Sequence, residues 1–326
     1  MIVLGIECTA HTLSIGICKN SKILSNVIDT FNSGPDGFIP RKLADHHSTV
    51  FFDVLNQSLK NANLALSQID LIAFSQGPGI GAPLSVGVGI AKYLSKRFDI
   101  PLLGVNHPYA HVEISKLICN KKDPLILYVS GGNTQILIHK KDKFFFNVIG
   151  ETLDIGIGNM FDSFARSIKL KHAHGSALSK LAENGSYIPL PYSVKGLNLV
   201  YSGLQTAAER ATESNSQKDV AYSLMETAFA MTCEVTERAL FLTNKKSLIV
   251  CGGVAQNKRL QEMLQIMCAE AGISFGVAPD EFNRDNGAMI AYAGFKLFKK
   301  FGKTDLKNTD PNTSYRIDQM EKYFID

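Results

Sequence analysis

The chain has 326 residues, 45% hydrophobic and 20% charged, with a formal net charge of +4. That length suits about two domains with sizeable cores, and the small charge excludes a broadly basic nucleic-acid coat while leaving room for a local patch. The six cysteines, at 8, 18, 119, 233, 251 and 268, make no CxxC pair, which argues against a zinc knuckle or a disulfide framework and fits free cytoplasmic thiols.

Residues 2–5 read as a short apolar strand, followed by a polar turn at 7–11 and a second strand at 12–18. The opening lacks a basic region and carries Glu7, so it is a core strand and not a signal peptide. A turn at 19–21 leads into residues 22–27. Residues 46–61 space Val50, Phe51, Val54, Leu55 and Leu59 as one face of a helix. Residues 71–91 carry no charge, but Gln76, Gly77, Pro78, Gly79, Gly81 and Pro83 interrupt them. The reading is a strand at 71–75, a glycine turn and a helix at 86–96, with no membrane span.

The same grammar returns in the second half. A strand at 125–129, a turn at 130–133 and a strand at 134–139 are followed by a turn at 140–142 into residues 143–148. A long helix covers 219–243, with Tyr222, Met225, Phe229, Cys233 and Thr236 at mixed helical steps. A strand at 248–251 enters Gly252 and Gly253, and a helix at 257–271 follows. The shared order predicts an α/β fold of two duplicated lobes with a cleft between them: an N-terminal lobe, 1–122, and a C-terminal lobe, 123–326. Residues 151–215 have no counterpart in the first half and read as an insertion, a place for substrate contacts.

In NHPYAH, Asn106 or His107 can cap a helix and Pro108 suits its first turn. His107 and His111 then share a face, as two metal ligands or as two polar helix histidines. Asp285, where a loop enters a helix, is the candidate third ligand or simply an N-cap. A His₂-carboxylate set with an open position suits iron or zinc. The turns at 7–11 and 130–133 offer hydroxyls and backbone N–H groups to phosphate oxygens. GGVAQN at 252–257 brings glycines to a helix N-terminus, suited to a sugar or base. Lys121, Lys122, Lys140, Lys141, Lys143, Lys245, Lys246, Lys299, Lys300 and Lys303 are candidate phosphate contacts or solvated faces.

Eight stretches carry a resemblance in one order along nearly the whole chain: GIECTAHT (5–12), GPGIGAPLSVG (77–87), NHPYAH (106–111), YVSGGNTQ (128–135), GETLDIGIGNMFDSFAR (150–166), LPYSVKG (190–196), GGVAQN (252–257) and DNGAMIA (285–291). The chain resembles the universal threonylcarbamoyl-adenosine family, of the archaeal and eukaryotic type that is the catalytic subunit of the KEOPS complex, formerly called O-sialoglycoprotein endopeptidase. The resemblance implies the actin-like ATPase and sugar-kinase fold. It implies that His107, His111 and Asp285 bind one divalent metal, iron rather than zinc, with Tyr128 able to approach it. Residues Tyr128, Val129, Ser130, Gly131, Gly132 and Asn133 would meet the phosphate and acyl groups of an adenine nucleotide in the cleft. Asp162 would bind substrate hydroxyls, and Gly175 and Asn257 the nucleoside. Ser179 stands where the family has a ribose-binding carboxylate. Ser85, Asn198 and Cys8 replace the family's Arg, Asp and Gly.

The implied reaction transfers threonylcarbamoyl from threonylcarbamoyl-adenylate to N6 of the adenosine beside the tRNA anticodon and releases AMP. No general base is assigned. The implied partners are tRNA, a small RIO-like kinase/ATPase subunit and a small dimer-forming subunit, in the cytoplasm. The rivals are a carbamoyltransferase of related fold, a non-catalytic ATP-binding scaffold and a metallopeptidase. The last fits poorly, because Pro108 stands where HExxH has its glutamate.

Overall fold

The computed structural model describes residues 1–32, 37–141 and 144–324. The expected turn at 140–142, the start of the strand after it and Lys143 lie partly or wholly outside the described residues.

The first half runs β1 (Ile2–Glu7), β2 (Thr12–Lys19), β3 (Lys22–Thr30), α1 (Pro40–Ala62), β4 (Leu71–Gly77), α2 (Gly81–Phe98), β5 (Leu102–Asn106) and α3 (His107–Cys119). Its sheet has the order β3-β2-β1-β4-β5. The first three strands pair antiparallel, and β4 and β5 extend the sheet in parallel. The buried Ile6, Ile15, Phe51, Phe74, Val88 and Leu102 knit this sheet to α1 and α2.

The second half repeats the plan with β6 (Leu125–Val129), β7 (Thr134–His139), β8 (Phe146–Glu151), α4 (Ile157–Ser167), α5 (Gly175–Ala182), β9 (Val194–Lys195), β10 (Asn198–Leu199), α6 (Ser202–Ala211), α7 (Gln217–Thr243), β11 (Ser247–Cys251), α8 (Lys258–Glu270) and β12 (Ser274–Val277). Its five-stranded sheet, β12-β11-β6-β7-β8, is the first one read from the other edge. An antiparallel β6-β7-β8 meander is extended by parallel β11 and β12. The duplication expected from strand order is therefore a duplication of topology. The segment between β8 and α7 holds α4, α5, α6 and the β9–β10 hairpin.

The chain continues through α9 (Asp280–Asn283) and α10 (Gly287–Phe301), followed by 3-10 turns at Leu306–Asn308 and Ile317–Tyr323. The two compact units are Met1–Ile118 with Pro279–Asp326, and Cys119–Ala278. The sequence reading divided the chain near residue 122 and left everything beyond in the second lobe; in the structure the last segment returns to the first unit. The cause is a backbone-to-backbone contact. A Cβ on Gly16 would stand 2.1 Å from the Ala288 nitrogen, and one on Gly287 2.1 Å from the Gly16 nitrogen, so only glycines let α10 lie this close on β1 and β2. Ser14 Oγ accepts from the Gly287 N–H at 2.8 Å and Asn26 Oδ1 from the Ala288 N–H at 3.2 Å.

Within the second unit, Asp154 ties the insertion together. Its carboxylate accepts from the N–H groups of Ile155 at 2.7 Å, Tyr201 at 3.0 Å and Ser202 at 2.8 Å, capping α6. Burial works against the charge, but the bonds from Ser202, Tyr201 and Ile155 hold the carboxyl down at about 2. A depressed carboxyl stabilises the fold above its unfolded value, about 3.9, and the contribution fades as pH falls toward 2. Asp154→Ala should cost about 1 kcal/mol at neutral pH, the ordinary worth of a helix cap at a solvent-facing position. Urea melts at pH 6 and pH 3 should show the gap between the two proteins narrowing at the lower pH.

Among the described residues, no helix is long and apolar enough to cross a membrane.

Candidate metal centre

Strand β5 delivers the chain into α3. Asn106 caps that helix, its Oδ1 accepting from the Tyr109 N–H at 3.0 Å, while its Nδ2 donates to the Tyr315 carbonyl at 2.8 Å. His107 and His111 follow one turn apart. His107 is 7% and His111 0% exposed, because α3 is buried from its start to Ser115.

Asp285 comes to them from the loop between α9 and α10. It does not cap α10: Asn286 does, with its Oδ1 accepting from the Met289 N–H at 2.9 Å. Asp285 is thus left for another role. Its Oδ1 lies 3.2 Å from His111 Nε2 and 3.4 Å from His107 Nε2, and the two Nε2 atoms are 3.2 Å apart. These three groups could hold one metal ion. Ligands about 2.0–2.2 Å from a common ion stand about 3.0–3.5 Å from one another, the separation seen here.

The charge around His107 supports the fit. Glu7 is fully buried at the end of β1 and its Oε2 accepts from His107 Nδ1 at 2.9 Å, which leaves Nε2 turned toward Asp285. Thr9 gives both its backbone N–H (2.7 Å) and its hydroxyl (2.5 Å) to Glu7 Oε1. The Thr9 N–H, which the sequence reading offered to a phosphate, is therefore spent on orienting a carboxylate. A carboxylate behind a histidine is the usual support of a metal ligand. Burial opposes a charged His107, but the carboxylates of Glu7 and Asp285 push it up to about 10. Burial lowers His111, against the pull of Asp285. Asp285 is held well below the carboxylate range: burial works against its charge, and the two histidines outweigh it. With one imidazole free to ligate, a second carrying an exchangeable proton and an anion between them, the donor set suits a divalent cation.

The other candidates lie in the second unit. Tyr128 and Val129 end β6 and are buried. Residues 130–133 form the β6–β7 turn, where the Asn133 N–H donates to Ser130 Oγ at 3.1 Å. The Ser130 and Gly131 carbonyls accept from the N–H groups of Gly158 and Asn159 at the start of α4. This close seat requires Gly158, whose Cβ would meet the Gly131 Cα at 2.8 Å. Gly131 and Gly132 themselves stay exposed. Asp162 Oδ1 accepts from the Gly175 N–H at 2.8 Å, and Asn257 Nδ2 reaches Ser179 Oγ at 3.4 Å. Gly175 and Ser179 are four apart on α5 and share a face, so the fold aligns these four residues. Asn257 also caps α8 through its Oδ1. Of the lysines, Lys121 donates to Ser274 and Lys245 to Asp123, ordinary surface partnerships.

The TsaD family model, described as tRNA N6-adenosine threonylcarbamoyltransferase, matches residues 22–292. The chain belongs to that family. A Thermococcus sibiricus protein named tRNA N6-adenosine threonylcarbamoyltransferase is 47% identical over 98% of this chain and 99% of its own length. One from Methanococcoides burtonii is 44% identical over 99% and 97%. A Methanococcus maripaludis protein named a probable bifunctional tRNA threonylcarbamoyladenosine biosynthesis protein is 46% identical, and this chain spans 60% of it. Among solved structures, T. kodakarensis HypF aligns with a TM-score of 0.62 at 15% identity, covering 91% of this chain and 48% of that one. The activator of a 2-hydroxyisocaproyl-CoA dehydratase from Clostridium difficile aligns with a TM-score of 0.51 at 13% identity, covering 92% and 96%. These two likenesses concern the fold alone. As a member of the threonylcarbamoyltransferase family, the chain is a transferase.

Proposed function

We propose that the chain moves a threonylcarbamoyl group from threonylcarbamoyl-adenylate to the N6 amine of the adenosine beside the tRNA anticodon, releasing AMP. His107, His111 and Asp285 hold one divalent ion, iron rather than zinc. The observation that carries this is the triad of two buried histidines and the half-buried Asp285, with Glu7 fixing His107, in a chain of this family. When bound, the ion acts as a Lewis acid toward an oxygen of the acyl donor.

The protein's own groups do the rest. Glu7 keeps His107 Nε2 directed at the ligand position, and Asp285 supplies negative charge there. The acyl group arrives already activated, so positioning and charge stabilisation suffice. In the second unit, the exposed N–H groups of Gly131 and Gly132 meet phosphate oxygens, while Asp162, Gly175, Ser179 and Asn257 meet the nucleoside. The fold is read as the actin-like ATPase and sugar-kinase architecture on two supports, the repeated sheet order and the likeness to HypF. With a net charge of only +4, tRNA recognition is shared with a small RIO-like kinase/ATPase subunit and a small dimer-forming subunit of a KEOPS assembly in the cytoplasm.

The test is mass spectrometry of nucleosides from tRNA incubated with threonine, bicarbonate, ATP, an adenylate-forming enzyme and this chain, with and without those subunits. Threonylcarbamoyl-adenosine should form efficiently only with the subunits. Its absence from the complete mixture contradicts the assignment, and efficient formation by the chain alone contradicts the need for partners. Ser179→Glu restores the family's carboxylate beside Asn257. A charged hydrogen bond to a ribose hydroxyl is worth about 1.5–3 kcal/mol, so AMP should bind roughly tenfold tighter by calorimetry. Unchanged affinity would mean that the ribose is held elsewhere.

A further inference from the structure

Three carbonyls of the turn between β1 and β2 are held from different elements. Thr9 accepts from the Ile80 N–H at 2.7 Å and His11 from the Phe31 N–H at 2.9 Å. The middle one, Ala10, lies 3.1 Å from Nε2 of His47 on α1, a side chain with no exposed surface. His47 Nδ1 faces His46 Nδ1 at 3.1 Å, and His46 Nε2 lies 2.8 Å from Asp29 Oδ1 on β3.

Hydrogen bonding fixes the protons of this chain of groups. A carbonyl oxygen only accepts, so His47 Nε2 carries hydrogen. A carboxylate only accepts, so His46 Nε2 carries hydrogen as well. Between the two Nδ1 atoms one hydrogen must lie, since two lone pairs at that distance repel and two N–H groups collide. Four ring nitrogens therefore hold three protons, and the pair bears one positive charge opposite Asp29. We propose that His46 and His47 form a positioning dyad, whose shared proton fixes the turn carrying Glu7 and Thr9 and through them the orientation of His107. The positioning claim rests on reading His107, His111 and Asp285 as metal ligands.

Burial opposes a charge on the His47 ring itself and brings that imidazole down to about 4. The titratable groups facing the pair are Asp29 from β3, Glu7 from the end of β1 and His11 from the turn. Removal of the shared proton sets two lone pairs against each other and frees His47 to rotate away from Ala10. The Ala10 carbonyl then loses this partner, while those of Thr9 and His11 keep their backbone donors.

Two measurements on the full chain test this. Nitrogen NMR of histidine-labelled protein at pH 6–7, assigned with His46→Gln and His47→Gln, should show three protonated nitrogens across the pair; two protonated nitrogens overturn the dyad. Cobalt(II) binding, followed by its visible absorption, tests the positioning. His47→Leu should weaken binding roughly tenfold, and His47→Gln, whose amide N–H can still reach the Ala10 carbonyl, should recover most of it. Unchanged affinity in a folded His47→Leu protein, or no recovery with Gln, overturns the positioning claim. His46→Leu, at a partly exposed position, removes the shared proton with less burden on folding and should weaken cobalt about threefold; unchanged affinity there overturns the claim too. Failure of the unaltered chain to bind cobalt overturns the metal reading itself, and the nitrogen spectrum still decides the dyad.

Discussion

Asp285→Asn should abolish stable divalent-ion binding and lower threonylcarbamoyl transfer by roughly a thousand-fold, several kcal/mol of lost charge stabilisation, while leaving the fold in place. Asp285 is the cleanest ligand to remove. His111 is wholly enclosed, so truncating it also opens a cavity in α3, and His107 is bonded to Glu7. Asparagine keeps the shape of Asp285 but loses its charge. The start of α10 is unaffected, because Asn286 makes the cap. The positive charge on His107 keeps its partner in Glu7. Metal content, cobalt absorption and a thermal melt should be measured beside transfer. An Asp285→Asn protein that keeps its ion and its activity would remove the triad from the mechanism. One that loses both only because it unfolds would make the residue structural.

Much of this arrangement could be read from residues alone, and the failures have a common physical cause. Local signals were sufficient for the hairpins β1–β2 and β6–β7 and for most of β3, read only to residue 27, as well as for the glycine turn after β4 and the i, i+4 histidines. Helix α1 begins at Pro40, a residue suited to the first helical position, and not near residue 46; its first turns are hidden from the apolar pattern because residues 40–45 bury only Leu43. Spacing could not separate Asp285 from an N-cap, since a loop aspartate before a helix serves either role; the neighbouring Asn286 resolves it. Glu7 reads as the start of a polar turn, whereas the structure makes it the buried last residue of β1, and a buried charge must find a partner. That the partner is His107 depends on a fold that joins positions far apart in sequence. The return of the C-terminal helix to the first unit is equally non-local. It depends on glycines whose spacing matches no period, only the surface of another element.

That contact yields the second large effect. Gly287→Ala places a methyl 2.1 Å from the Gly16 backbone nitrogen, with the Ile15 backbone at 2.5 Å. No flexible side chain can move aside, so α10 must lift by about 1 Å or more to reach ordinary contact. Overpacking of this kind costs about 1–3 kcal/mol or more. The Ser14 bond to the Gly287 N–H lengthens with it. Asp285 stands two residues before this point, and ligation tolerates errors of only about 0.2 Å. The protein should therefore lose its ion under conditions where it is still folded, with the denaturation midpoint lowered as well. Gly89→Ala is the control. It lies in α2 with nothing within 4 Å of the added carbon, and should stabilise by about 0.5–1 kcal/mol through helix propensity, with ion binding unchanged. If Gly287→Ala binds cobalt as the parent does, α10 is not what sets the position of Asp285, and the loop before it must be rigid on its own.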